Sequence, residues 1–367
     1  MRRPTVDSKQ PVGILPAQTI RELADAGVVR VQQPLDPGQV QPASLDLRLG
    51  ATVWRVRASF LPGRRPVRER LEQLALHRFS LEQGAVLETG CVYIAEIQEA
   101  LALPPGLSAS ANPKSSTGRL DVFTRLITDQ GEEFDIIPPG YNGPLYAEIS
   151  PRTFPILVRA GSRLGQVRFR SGNSRLTDAE LAALHAREPV VDGTAASFQN
   201  GVAVSVDLSG FGEDRLIGYR ARRFTGLVDV DRVGACAVAD YWEPLHADGS
   251  GALILDPGQF YILASREAVT VPPDFAAEMT PFDPLVGEFR VHYAGFFDPG
   301  FGHSAAGGVG ARAVLEVRSR DVPFIIEDGQ IVGRLVYERM QQRPATLYGE
   351  GGSNYQGQSL KLSKHFR

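Results

Sequence analysis

Residues 111–119 (ANPKSSTGR) bring two cations, three adjacent hydroxyls and a glycine together between two hydrophobic stretches. Lys114 and Arg119 can neutralise phosphate charge, the arginine bidentately. Ser115, Ser116 and Thr117 offer hydroxyl donors, and Gly118 lets backbone amides approach an anion. The same composition also suits a solvated turn, so the segment alone defines only a candidate phosphate cradle. Two glutamates stand in apolar, strand-like surroundings, Glu148 in LYAEI and Glu316 in AVLEV. Burial there raises a carboxyl pKa toward the range a general base needs. An ion pair with a strand arginine, such as Arg312 or Arg318, is the competing expectation.

Bulk properties limit what these groups can serve. At 367 residues the chain is long for one domain, and two are expected. A net charge of −3 argues against a general nucleic-acid binder, which needs a basic excess. No apolar run is long enough to span a membrane and no signal-like segment opens the chain, so a cytoplasmic protein is expected. Two isolated cysteines, Cys91 and Cys236, make neither a disulfide framework nor a Cys-rich metal site.

The 38 glycines and 26 prolines punctuate short segments rich in Val, Ile, Leu, Phe and Tyr, the pattern of a mainly β protein with tight turns. Residues 15–27 read as a first helix, with Pro16 in its first turn and Gly27 as its stop. Residues 43–50 (ASLDLRLG) alternate strictly, as a half-buried strand does. Residues 64–77 are charged and read as a surface loop or short helix. Strands are expected at 86–97, 122–127, 145–150, 154–158 and 166–170. Thr177 and Glu180 form a capping-box pattern ahead of a second helix ending near 187. That helix and the turn at 192–196 mark the expected domain boundary.

The chain then repeats itself. Residues 87–109 and 255–277 share nine of 23 positions at a constant offset of 168. The same offset returns later, where Glu148, Arg152, Pro155, Gly161 and Gly165 correspond to Glu316, Arg320, Pro323, Gly329 and Gly333. Between these blocks the halves differ in loop lengths that cancel. In the second half the extra length includes 303–310 (HSAAGGVG), read as a flexible insertion. The expectation is two copies of one β-rich domain, too few for a solenoid.

Several segments, in order, resemble the dCTP deaminase family of the trimeric dUTPase-like superfamily. PASLDLRLG at 42–50 is similar to its opening strand, and residues 114–119 to its R-S-S-x-x-R phosphate segment with Lys for the first Arg. FDPGF at 297–301 looks like its sugar-and-base segment, Val314-Leu315-Glu316 like its V-L-E strand, and Tyr355-Gln356-Gly357-Gln358 like its C-terminal lid. The resemblance implies two tandem distorted β-barrel or jelly-roll domains with a few short helices. The copies would span 13–190 and 191–346, followed by a lid tail at 347–367. It implies conversion of dCTP to dUTP and ammonia, catalysed by Glu316 or Glu148 with Ser115. Substrate contacts would come from Lys114, Ser115, Ser116, Thr117, Gly118, Arg119, Ala294, Asp298, Val314, Leu315, Tyr348, Tyr355 and Gln358. It further implies Mg²⁺ carried with the triphosphate, inhibition by dTTP, and a homo-oligomer with threefold packing of domains.

The copies are unequal. Opposite the phosphate segment the second half has FDPLVG at 282–287, with no cation and a carboxylate that repels a triphosphate. Opposite Asp298 the first half has Pro138, which offers no side-chain acceptor to a sugar. Either the copies divide one site between them, or the first half alone is catalytic through Glu148. Zinc nucleoside deaminases carry H-x-E…P-C-x-x-C, which is absent here, so a carboxylate must serve as base and then acid. Ser115 is placed to bond the attacking water or the C4 substituent. Where the family often has a tail Lys this chain has Asn354, and Lys361 or Lys364 is the candidate replacement. Alternative functions are a dUTP pyrophosphatase, a bifunctional enzyme yielding dUMP, and a non-catalytic dNTP-binding protein.

Overall fold

The offset of 168 residues is a repeat of hydrogen-bond register as well as of sequence. In the first half Val92–Ala102 pairs antiparallel with Asn142–Pro151, placing Ile94 opposite Glu148. In the second, Phe260–Val269 pairs with Ala311–Ser319, placing Ile262 opposite Glu316. Leu107–Pro113 pairs with Arg163–Ser171 so that Pro113 faces Gly165, and Phe275–Pro281 pairs with Ile331–Arg339 so that Pro281 faces Gly333. Even a local detail recurs. The Glu88 amide donates to Tyr93 Oη at 3.1 Å, and the Asp256 amide to Tyr261 Oη at 3.0 Å. The computed structural model describes residues 11–192, 196–281, 289–291, 295–319, 321–350 and 355–367. The stretch 282–287, Ala294 and Asn354 lie outside them.

The chain is mainly β, with barrel-like sheets and few helices. The first half's large sheet runs through Leu107–Pro113, Arg163–Ser171, Ser44–Val56, Val92–Ala102, Asn142–Pro151 and Val122–Thr128. The second half splits into a four-stranded and a five-stranded sheet around its own core. Each core is built by the apolar faces of these strands, the main stabilising term. Leu181 and Leu184 of the helix Asp178–Arg187 pack into the second core. The expected capping box is present: Glu180 N donates to Thr177 Oγ1, and Thr177 N to Glu180 Oε2. The first core in turn takes in Trp242, Phe260 and Ile262, so the halves share buried surface.

Several boundaries and one burial expectation differ from the sequence reading. The expected strand 86–97 is two, Ala85–Leu87 and Val92–Ala102, because the chain turns at Gly90 with φ 74°. The segment 64–77 is the helix Val67–Leu74 running into the strand Ala75–Ser80. The insertion at 303–310 is tied down: Ser304–Ala306 is a 3-10 turn, and His303 Nε2 lies 2.6 Å from Glu188 Oε1. Most instructive is 43–50, which alternates but is buried on both faces. Of its polar side chains Ser44 meets Gln166 and Asp46 pairs with Lys114, while Arg48 is covered by the preceding segment. Arg48 donates to the carbonyls of Gln33 and Pro34 at 2.9 Å each, and its Nε lies 2.7 Å from Glu99 Oε1. Gln39 completes the cluster by donating to Glu99 at 2.8 Å and to Asp46 O at 3.0 Å.

This cluster generates a stability prediction. Glu99 is fully buried and accepts from Arg48 twice and from Gln39. Glu99→Ala leaves the buried Arg48 guanidinium with the more distant, half-exposed Asp36 at 3.5 Å and should lower stability by about 3 kcal/mol in urea unfolding. The double variant Arg48→Met/Glu99→Leu should regain most of that loss. A loss under 1 kcal/mol in the single variant would contradict the assignment.

Candidate active site

The phosphate-like segment forms a tight helical turn, Ser115–Gly118, after the strand Leu107–Pro113. Lys114 N donates to Leu164 O at 2.9 Å, which fixes the turn to the neighbouring strand. Thr117 and Gly118 amides fold back onto Lys114 O at 2.8 and 3.0 Å. Both residues are buried behind the turn and do not line the cavity. Lys114, Ser115, Ser116 and Arg119 do line it. The turn is therefore no solvated loop: Ser116 and Arg119 are buried. Lys114 pairs with the buried Asp46 of the opening strand.

The cavity holds about 450 Å³ and draws on both halves and the tail. The second half contributes Phe296, Phe297, Asp298, Val314 and Glu316, and the tail Tyr348, Tyr355, Gln358 and Lys364. Leu315 is part of the second core, since alternation along Ala311–Ser319 turns it away from its neighbours Val314 and Glu316. The turn at Asp298–Gly300 also seats the tail. Gly300 has φ 98°, a Cβ there would come within 2.8 Å of Leu347 Cβ, and Tyr348 N donates to Pro299 O at 2.8 Å.

Glu316 is buried, and that burial raises its pKa to about 7 against the opposing pull of Arg119. Arg119 Nε lies 3.9 Å from Glu316 Oε1 and has no hydrogen-bond partner of its own. The rest of that guanidinium serves the tail. Nη1 donates to Lys361 O at 2.9 Å, Nη2 to Gln358 Oε1 at 3.1 Å, and Tyr355 stacks with its ring centre 4.0 Å away. Arg312 and Arg318, the partners expected for Glu316, are engaged elsewhere. Arg312 lies 2.8 Å from Asp207, and Arg318 pairs with Asp121 of the first half. Asp298 is buried, its pKa pushed up by that burial and pulled back by Arg168.

Glu148 occupies the matching strand position but does not line the cavity. Its Oε1 sits 2.5 Å from Arg125 Nη2, and Arg125 in turn lies 3.8 Å above the Phe134 ring. A stacked ion pair fills the place that the second copy leaves open. The tail is anchored beyond the cavity as well. Ser363 Oγ donates to Ser116 O at 2.7 Å, and Phe366 packs among Phe154, Tyr241 and Trp242 with ring centres 5.3–6.1 Å away. Sequence reasoning missed Arg21, Val40, Gln166, Phe296 and Phe301 as lining residues. Phe301 ends the FDPGF segment and Phe296 precedes it, whereas Arg21, Val40 and Gln166 belong to no motif and are brought here by the packing of distant segments. Among the described residues no three His, Cys, Asp or Glu side chains are grouped to hold a metal ion.

Two copies of a β domain sharing one polar cavity at their seam define the class of protein. Residues 11–173 match the N-terminal domain and residues 177–366 the C-terminal domain of 2'-deoxycytidine 5'-triphosphate deaminase, and the chain belongs to that family. The crystal structure of 2'-deoxycytidine 5'-triphosphate deaminase from Agrobacterium tumefaciens is similar, with 61% identity and a TM-score of 0.87. It covers 91% of this chain and 99% of that one. Shorter relatives include "dCTP deaminase, dUMP-forming" from Kocuria rhizophila, 32% identical over 41% of this chain and 75% of the relative. "dCTP deaminase" from Natronomonas pharaonis is 31% identical over 42% and 79%.

The Arg119 contacts predict a tail that loosens when they are removed. Two hydrogen bonds and a stacked cation are worth about 2 kcal/mol together. Arg119→Ala should therefore speed tryptic cleavage after Lys361 and Lys364 about 30-fold, read by mass spectrometry under native conditions. Arg125→Ala, at the matching ion pair, should leave that cleavage rate unchanged.

Proposed function

We propose that this chain hydrolyses dCTP to dUTP and ammonia at one site, to which the first half brings the triphosphate cradle and the second the base. The observation that carries the proposal is Glu316, a carboxylate buried at the cavity with a pKa of about 7. Such a group is ionised often enough to take a proton and acidic enough to return it at neutral pH. Lys114, Ser115, Ser116 and Arg119 hold the phosphates, with Lys364 at the same end of the cavity. Bound Mg²⁺ arrives as part of the substrate, held by phosphates and water. It finds no free carboxylate cage, since Asp298 pairs with Arg168 and Glu316 faces Arg119.

Asp298 accepts the one free hydroxyl of the deoxyribose, with Val314 beside the base. Glu316 takes one proton from water as the oxygen bonds to C4 and passes it to N3; it then moves the remaining hydroxyl proton to the C4 amine, and the C4–N bond breaks to release ammonia as C4=O forms. Ser115 orients the water or the C4 substituent. This route needs no zinc, because one carboxylate moves both protons. Tyr348, Tyr355 and Gln358 close the cavity and exclude bulk water. dTTP shares the triphosphate and sugar, and so competes for the same cavity. A second reading is favoured by the relatives: those named dUMP-forming are as similar as one named dCTP deaminase alone. In that reading the chain also cleaves dUTP to dUMP.

Two measurements test the proposal. Glu316→Gln should lower ammonia release from dCTP by about a thousandfold, and Glu148→Gln by less than about threefold. Chromatography of the products separates dUTP from dUMP. Full activity in Glu316→Gln would end the split-site reading. The pH profile is the second. Because Glu316 acts as a base in its ionised form, kcat/KM should fall about tenfold per unit as pH drops below about 7 and level off above it. A profile flat from pH 5.5 to 8 would contradict its role.

A further inference from the structure

Arg168 is the one fully buried arginine among the described residues, and its contacts lie across the seam between the halves. It projects from Arg163–Ser171 in the first half. Its Nε donates to Ala43 O at 3.3 Å and its Nη1 to Ala277 O at 2.9 Å in the second half. Nη2 donates to Asp298 Oδ1 at 2.9 Å and more distantly to Phe297 O at 3.4 Å. The guanidinium lies 4.0 Å from the centre of the Phe296 ring. Taking such a cation out of water is costly, and carbonyl acceptors alone do not require a full charge. Among the described residues Asp298 is the only carboxylate to which its hydrogen bonds run.

The repeat sharpens the point. In the second copy the position of Arg168 is Val336, and the register is otherwise the same: Arg168 faces Ser110 as Val336 faces Glu278. The β fold therefore works with an apolar residue there. The guanidinium occurs in the copy whose neighbour across the seam carries Asp298. We propose that Arg168 is a positioning residue for the sugar subsite, holding Asp298 and the Phe296–Phe297 backbone in place so that Asp298 can accept the sugar hydroxyl. This rests on the reading of Asp298 given above. Through Arg168 the first half, which has Pro138 in place of its own aspartate, still shapes sugar recognition.

The role has a charge component. Asp298 feels Arg168 and Lys114 as cations and Asp46 as a like charge, and Glu316 lines the same cavity. Arg168 also faces Glu278, which is near Glu338, Arg170 and Arg175. Without Arg168, the burial that raises the Asp298 pKa is less opposed, and a protonated carboxyl is the weaker acceptor.

The test is steady-state kinetics of the full chain with dCTP and with 2',3'-dideoxy-CTP, which lacks the only free sugar hydroxyl. The wild type should prefer dCTP in kcat/KM by about a hundredfold or more, because a buried acceptor left unpaired rejects the analogue. Asp298→Asn should shrink that preference at least about tenfold. Arg168→Gln should shrink it as much, mainly by raising KM for dCTP, with partial recovery as pH is raised and Asp298 ionises. Arg168→Lys should retain part of the preference. The double variant Arg168→Gln/Asp298→Asn should add nothing to Asp298→Asn. If Arg168→Gln does not fold, Arg168→Lys carries the comparison, and its preference must then lie between those of wild type and Asp298→Asn. An Arg168 variant that folds, turns over dCTP and keeps the full preference overturns the proposal. An unchanged preference in Asp298→Asn would instead overturn the reading of Asp298 itself.

Discussion

A single guanidinium, Arg119, links the cationic turn of the first half to the second half and the tail. It stands 3.9 Å from Glu316 of the second half, under the Tyr355 ring of the tail, and within hydrogen-bond reach of Gln358 and Lys361. The constraint behind this arrangement is electrostatic. A carboxylate useful as a base at neutral pH must be buried, and a buried carboxylate needs a nearby cation to ionise at all. The opposing effects on Glu316 leave its pKa at about 7. Had Arg119 made a close bidentate pair with it, the carboxyl would be too weak a base. In the first copy Arg125 sits 2.5 Å from Glu148 Oε1, a much closer contact.

Duplication makes this division of labour accessible. Two copies share strand register down to the tyrosine hydrogen bonds at Tyr93 and Tyr261. The fold thus tolerates divergence in the polar residues that the register presents. The first copy keeps the cationic turn and fills its own base position with Arg125 and Phe134. The second keeps Asp298 and Glu316. Buried pairs across the seam, Arg168 with Asp298 and Arg318 with Asp121, make the halves mutually dependent. Loss of either partner would leave an uncompensated charge, so such seams are held more by the cost of breaking them than by any gain from the pair.

Much of this was legible in the chain. Strand positions, the capping box at Thr177 and the repeat follow from periodicity and spacing, which are local. The cationic turn and Glu316 stood out because polar groups in apolar runs demand a reason. What could not be read depends on what lies over each face. Alternation at 43–50 told which side chains share a face, but not that Gln166, Lys114 and residues 33–34 would cover Ser44, Asp46 and Arg48 on the polar one. Spacing alone could not separate Glu148 from Glu316, since they occupy equivalent strand positions. Arg168 read as an ordinary strand residue, because its partners lie 130 positions away in sequence and across a domain seam.

The central claim is that two domains make one nucleotide site. Counting bound nucleotide tests it most directly, using calorimetric titration of the Glu316→Gln variant with dCTP and Mg²⁺, where slow turnover leaves the substrate intact. One dCTP per chain is the predicted stoichiometry. Two per chain would mean that each copy holds its own site, and would contradict the account.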